Sequence, residues 1–171
     1  MPLVFQMKQI RPQKLNNAAM RKQLTAAMKE AATEIHQDFR ATTKTWKKKP
    51  KFVKEMDLSG PGPVVIVGTD NEVYTYVDEG TRPHPIYPRR AKALKFRWGG
   101  KGSYRPKTQV RVIDSFSGGA TGKMVSFKSV WHPGTKARKF ADEIEKRRRP
   151  WYKRRMEQAM RDAAKSSGHG G

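Results

Sequence analysis

Residues 76–98 read YVDEGTRPHPIYPRRAKALKFRW, and residues 131–135 echo part of that pattern as WHPGT. The fold turns on how these two blocks are read. In the first, Gly80 permits a backbone turn closed to other residues, and Pro83, Pro85 and Pro88 stiffen an extended segment. The chain then re-enters a strand over Ala93–Trp98. His84 and His132 stand in similar proline-bounded turns. The two blocks are therefore expected to meet, with a hydrogen bond or a stacking contact between them and the two histidines holding the turns at Gly80 and Gly134 together.

Upstream of the first block, Leu24, Met28, Ala31, Ile35, Phe39, Thr42 and Trp46 recur at helical spacing. They predict one long amphipathic helix within residues 12–48, started at Pro12 or Asn17 and stopped by the run TWKKKP ending at Pro50. Residues 1–11 read as an extended arm. Phe52, Met56 and Leu58 partly alternate with charged residues, and Gly60-Pro61-Gly62-Pro63 separates them from the apolar run VVIVG, so two strands are expected. Thr69-Asp70-Asn71 has turn chemistry, and Val73, Tyr74, Tyr76 and Val77 are strand formers, which predicts a tight hairpin over residues 64–77. Downstream, glycines 99, 100 and 102 open an excursion, and residues 108–116 and 123–131 are rich in strand formers around SGGATG. This pattern predicts a long basic hairpin over residues 99–129 carrying Lys101, Arg105, Lys107, Arg111, Lys123 and Lys128. Residues 136–165 are helical in pattern, with Phe140, Ile144 and Trp151 inward and Pro150 kinking the helix or opening a second one. The tail, residues 166–171, reads as disordered. The whole is a single α+β domain: a long N-terminal helix and a C-terminal helix packed on a small, mainly antiparallel sheet over residues 52–131.

Composition narrows the function. Thirty-seven Lys and Arg against 15 Asp and Glu give a net charge of +22. Ten bases and no acid fall between Gly80 and Ile113, whereas residues 52–79 are net acidic. Such asymmetry points to a face held against a polyanion, most plausibly nucleic acid; a solvated basic surface is the plainer alternative. With no cysteine, neither a disulfide framework nor a thiolate metal site is available. The longest apolar run, residues 63–67, is far below the roughly 20 residues of a membrane span, and the N-terminus lacks a signal-peptide core. A soluble, unexported chain with no membrane partner is expected.

Candidate chemistry is sparse. His84 and His132 would form an acid–base pair like that of a nuclease, or bind a metal with Asp78 or Glu79, but their spacing is not diagnostic, and turn histidines of this kind commonly bond local backbone. The WGGKGS glycines do not form a phosphate-binding loop opening a helix. No cofactor, metal or catalytic residue is expected. Phe96, Trp98, Tyr104 and Phe116 interleave with bases, a pattern that can stack single-stranded bases, although Phe96 and Phe116 suit strand packing and Tyr104 is the exposed candidate. In KRRRPWYKRR, residues Arg147, Arg148, Arg149, Trp151 and Tyr152 are candidates for contact with a neighbouring subunit, a phosphate or an acidic protein, against a merely solvated helix face.

VDEGTRPHPIYP, AKALKFRW and VWHPGTKARKFADEI together resemble the neck or tail-completion (head–tail joining) protein family of long-tailed bacteriophages. The resemblance rests on Gly80, Thr81, His84, Ile86, Pro88, Ala93, Leu94, Phe96, His132, Pro133, Gly134 and Phe140. In that family a strand ending in a Gly-Thr turn leads to a His/Pro segment, an Ala-Leu-x-Phe strand, an HPG turn and a C-terminal helix. This chain departs from it by about thirty extra residues before HPG, and by Lys139 where a proline is usual. The resemblance implies a non-enzymatic structural protein of the virion, assembled in the host cytoplasm. It would form a homo-oligomeric ring, six-fold or a multiple, between the head connector or head-closure protein and the tail terminator or tail tube, with double-stranded DNA in its lumen. A free ribosomal-protein-like nucleic-acid-binding module, a tail-terminator ring and a nuclease are the alternatives.

Overall fold

Asn16 opens the first helix, α1 (Asn17–Thr42), because its side-chain oxygen accepts from the Ala18 and Ala19 amides at 3.0 and 3.1 Å, donors that a helix start leaves unpaired. The computed structural model describes residues 16–57, 59–60 and 64–169; the arm expected over residues 1–11, and any helical start before Asn16, lie outside them. At about 1.5 Å per residue α1 is about 39 Å long. It stops short of residue 48, because the Thr42 and Thr43 hydroxyls turn back onto the Phe39 and Arg40 carbonyls, at 2.7 and 3.4 Å, and compete with the helical ladder. Trp46 consequently reaches the core from a turn.

The C-terminal helix, α3 (Phe140–Ala164), runs antiparallel along α1. Asn16 N donates to Ser167 Oγ at 3.0 Å at one end, Arg155 bonds Glu30 at 2.7 Å, and Arg148 bonds Asp38 towards the other. Alanines fill the seam: Ala27, Ala31 and Ala32 of α1 and Ala159 and Ala163 of α3 are all buried. Small side chains allow close helix approach. Pro150 neither breaks α3 nor starts a new helix, since Lys146 and Pro150 are both exposed and the carbonyl that loses its donor lies on the solvent side. Beyond α3, Lys165–His169 form a wide turn, with the Ser166 and Ser167 hydroxyls donating to Ala163 O; Gly170 and Gly171 of the tail expected to be disordered lie outside the described residues.

Against α1, β1 (Val53–Asp57) and β2 (Val64–Gly68) pair antiparallel. Their inner residues Met56, Val65 and Val67 are half-buried, and Val65 and Val67 share a groove of about 390 Å³ with Met28 and Ile35 of α1 and Tyr152 of α3. The hairpin expected over residues 64–77 does not form. Residues Glu72–Glu79 are a helix, α2: Asn71 caps it by accepting from Tyr74 N at 3.0 Å, and Glu72 lies in its first turn. Helical spacing brings Tyr74 and Val77 into the core together. Tyr74 meets the rings of Phe39, Phe52, Trp46 and Phe140 at centroid distances of 5.1 to 6.3 Å, and burial pushes its phenol pKa up. That aromatic packing outweighs the strand propensity of Val, Tyr and Thr.

The rest of the chain is a two-stranded antiparallel ribbon rather than part of one common sheet. Its outgoing strands are β3 (His84–Ile86), β4 (Leu94–Trp98) and β5 (Tyr104–Arg105). They pair in turn with the returning β8 (Val130–His132), β7 (Lys123–Phe127) and β6 (Gly119–Ala120). The basic excursion is thus built on 94–98 and 123–127, not on residues 108–116. Those residues are held off any ladder because the body uses their polar groups. Ser115 Oγ donates to Thr42 O at 3.0 Å, Arg111 N to Arg138 O at 2.8 Å, Thr45 Oγ1 to Phe116 O at 3.0 Å, and Thr108 is buried. The ribbon is therefore tethered at both ends.

Helix α3 begins at Phe140 rather than Lys136, because Lys139 is left-handed at φ 58° and its side chain does not cap. Asp78 of α2 caps instead. Its side-chain oxygen accepts from Phe140 N, and its carbonyl accepts from Arg138 N and Lys139 N at 3.0 Å each. Asp78→Ala is expected to cost about 1–3 kcal/mol in urea unfolding, and Asp78→Asn, which keeps an acceptor, distinctly less. Arg148 forks onto Asp38 at 2.5 and 2.8 Å and onto Glu34 at 3.1 Å. Arg148→Ala strands the buried Asp38 carboxylate and should cost about 3–5 kcal/mol, while Arg148→Lys, lacking the planar fork, should fall between that and the parent.

Candidate nucleic-acid interface

The ribbon starts from a matched pair of Gly-Thr steps. Thr81 and Thr135 exchange backbone hydrogen bonds at 2.9 and 3.1 Å, and Thr81 Oγ1 accepts from Thr135 N at 2.9 Å. Gly80 and Gly134 flank the bridge with φ of 83° and 90°. A Cβ on Gly80 would stand 2.7 Å from Thr135 O, and one on Gly134 only 2.4 Å from Thr81 O. Both glycines are required by positive φ and by close backbone approach.

One step further, His84 pairs with His132 in register, their rings 5.2 Å apart and tilted by 32°. The expected contact between the blocks is present, as the hydrogen bonds at Thr81 and Thr135 and as this tilted ring contact. Each ring also serves its own turn: His84 Nδ1 lies 2.8 Å from Arg82 O and so must donate, while His132 Nδ1 accepts from Gly134 N at 3.0 Å. The bonding assigns opposite tautomers. His84 offers a bare Nε2, but Nε2 of neutral His132 carries its proton, so the pair is not poised to bite one metal ion. No group of three His, Cys, Asp or Glu side chains suited to a metal ion occurs among the described residues. Asp78, considered above as a partner for the histidines, is occupied at the start of α3.

Along the ribbon the cations face solvent, with Arg97 Nη1 also donating to Gly122 O at 3.2 Å. Arg82, Arg89, Arg90, Lys92, Lys95, Arg97, Lys101, Arg105, Lys123 and Lys128 are all exposed, and none belongs to an ion pair among the described residues. Of the six predicted site residues, Lys101, Arg105, Lys123 and Lys128 belong to this surface. Lys107 does not: it is half-buried, and its ammonium donates to Thr45 O at 3.1 Å, where it anchors the returning loop. Arg111 has an exposed side chain, but its backbone is pinned to Arg138 in a left-handed conformation at φ 58°. Arg89, Arg90 and Lys92, absent from the predicted set, sit where seven residues between β3 and β4 oppose only Lys128 and Ser129; the acid-free run from Gly80 was their sequence signal. Aromatic side chains alternate with these cations. Tyr104 is exposed as expected, and Trp98, Phe127, Tyr87 and Trp131 are exposed too, whereas Phe96 packs on Phe127 at 5.9 Å. Phosphate contacts and base stacking are the chemistry such a surface can perform.

On α3 the basic run divides. Arg148 is spent inside the chain, lying also 5.9 Å above the half-buried Trp151 ring, and Arg149 pairs with Glu145, so neither is a free interface residue. Tyr152 lines the groove between the helices and β2, and Arg147 remains exposed.

The histidine pair carries a pH signature. Burial, and after it the neighbouring His84 charge, hold His132 below its ordinary 6.5. A base whose folded pKa lies below its unfolded value takes up protons on unfolding, so stability rises with pH through this window and is lost as pH falls below the unfolded value. The melting temperature should drop as pH is lowered from about 7 to about 5, and His132→Asn, whose amide oxygen can replace Nδ1 as acceptor, should flatten that slope. No family model, no curated protein and no solved structure matches this chain, so function must be read from these residues themselves.

Proposed function

We propose that this chain is a structural subunit of a tailed-bacteriophage neck. It forms a homo-oligomeric ring between the head connector or head-closure protein and the tail, and lines the DNA passage without reacting with it. The observation that carries this reading is the junction of the two blocks on which the phage-family resemblance rests: Gly80-Thr81 bridges Gly134-Thr135 and the His84 ring meets that of His132. On that junction stands a ribbon of exposed, unpaired cations. Phosphate contacts bind without reading sequence, which suits a duplex that must slide. Closed head-to-tail contacts generate rings. A free nucleic-acid-binding module is the second reading, favoured by the exposed Trp98, Tyr104 and Phe127 rings, which could stack single-stranded bases.

Neutralising Lys101, Arg105, Lys123 and Lys128 together to Gln should lower the salt slope of duplex binding by about 0.9 for each phosphate that is no longer neutralised, with equal effect on unrelated sequences. In particles assembled with this variant, packaged DNA should be retained less well. Unchanged slopes and normal retention would remove the ribbon from the DNA path. Tight binding by a monomer that prefers single strands and does not co-purify with connectors or tails would favour the second reading.

A further inference from the structure

One stretch of the chain runs against its overall charge. Residues 52–79 hold six carboxylates and a single base, Lys54, and the β1–β2 hairpin displays two of those carboxylates on its outer face. Glu55 and Asp57 lie two residues apart on β1 and so share a face, about 7 Å from each other. Directly across from them stand Ile66 and Val64 of β2, 62% and 53% exposed. Neither carboxylate has an ion-pair partner among the described residues. The outer face is thus a column of negative charge beside a column of bare aliphatic side chains.

The ribbon carries the complement on the same pitch. Lys95 and Arg97 lie two apart on β4 and share a face, with Ser126 and Met124 of β7 directly across from them. Met124 is 60% exposed. This is the face opposite to Phe96, Trp98 and Lys123, and its two cations are not among the four, Lys101, Arg105, Lys123 and Lys128, whose neutralisation tests the DNA reading. A positive column stands beside a polar-to-apolar one at the spacing of the hairpin.

We propose that the β4–β7 face of one copy docks on the outer β1–β2 face of the next, Lys95 and Arg97 against Glu55 and Asp57, with Met124 against Ile66 and Val64. The occupant is a second copy of this chain because the complement of the acidic face is built into the same molecule. Copies carrying +22 each repel, so a contact between them must set acid against base. A contact between two like faces would oppose like charges; one copy's ribbon on the next copy's hairpin opposes unlike ones, and repeated head to tail it closes into a ring when the rotation allows, whereas the reciprocal two-fold form would stop at a dimer in sedimentation. The inference deepens the ring reading and rests on it.

A charge swap tests it on the full-length protein, with sedimentation velocity as the readout and circular dichroism confirming the fold. One variant is Glu55→Lys with Asp57→Lys, or Glu55→Lys alone if the double variant does not fold. The other is Lys95→Glu with Arg97→Glu. Each alone should weaken self-association at least about tenfold, because like charges then face each other. Mixed one to one, the two variants are complementary at both junctions and should recover the parent assembly. If the parent assembles while the reversals leave it unchanged, or the mixture stays dissociated, this docking is wrong and the ring reading survives. A parent that stays monomeric at every concentration overturns both.

Discussion

The Asp78 carboxylate at the start of α3 is the contact on which the arrangement depends. Because Lys139 is left-handed, α3 has no cap of its own, and a helix start without acceptors is costly. Asp78 supplies one from the end of α2, two residues before Gly80 releases the chain into the ribbon. Burial raises the Asp78 pKa, while the Phe140 and Ala141 amides and the nearby Lys139 pull it down. The positive end of α3 therefore favours the ionised form that burial opposes. Through its side chain and its carbonyl, Asp78 thereby ties the end of α2 to the start of α3, and the Thr81–Thr135 bridge from which the ribbon leaves lies close by in the chain.

Much of this could be read from the residues in order. The α+β class holds, as do the two long helices and the meeting of the His84 and His132 blocks, because each rests on local requirements: helical periodicity for the first, matched Gly-Thr and His-Pro steps for the second. The errors fall where distant partners decide. Val73, Tyr74 and Val77 favour strands locally, but Asn71 caps a helix and Tyr74 finds four aromatic neighbours. Thr69-Asp70-Asn71 was legible as a chain reversal, yet the same residue types serve hairpin turns and helix caps alike. Residues 108–116 look like a strand until Thr42, Thr45 and Arg138 claim their hydrogen bonds.

The candidate site was readable as charge and unreadable as surface. An acid-free run can be counted from the sequence, but which of its members face solvent cannot. Lys107 resembles Lys101 in sequence and differs from it only because Thr45 O lies within reach of its ammonium. Arg148 stands between two other arginines, and the buried Asp38 takes that one alone because α1 and α3 run antiparallel at a spacing that brings those residues level.

The placement of the carboxylates explains how so basic a chain folds while leaving one surface unneutralised. Glu30, Glu34 and Asp38 face the arginines of α3, Glu145 pairs within α3, and Asp78 caps it. Glu30, Glu34 and Asp38 are spent on joining the helices, where partial burial of Arg148 and Arg155 strengthens each pair relative to the exposed Glu145–Arg149 pair. The ribbon is secured differently, by hydrogen bonds at the Thr81–Thr135 bridge and at the loop that returns to Thr42 and Thr45. Because those anchors use no ribbon carboxylate, the repulsion among its cations is borne by backbone and hydroxyl bonds at its two ends. A polyanion laid along it would relieve that repulsion without displacing an internal ion pair, so the ribbon surface and the packing of the helices can respond to salt independently.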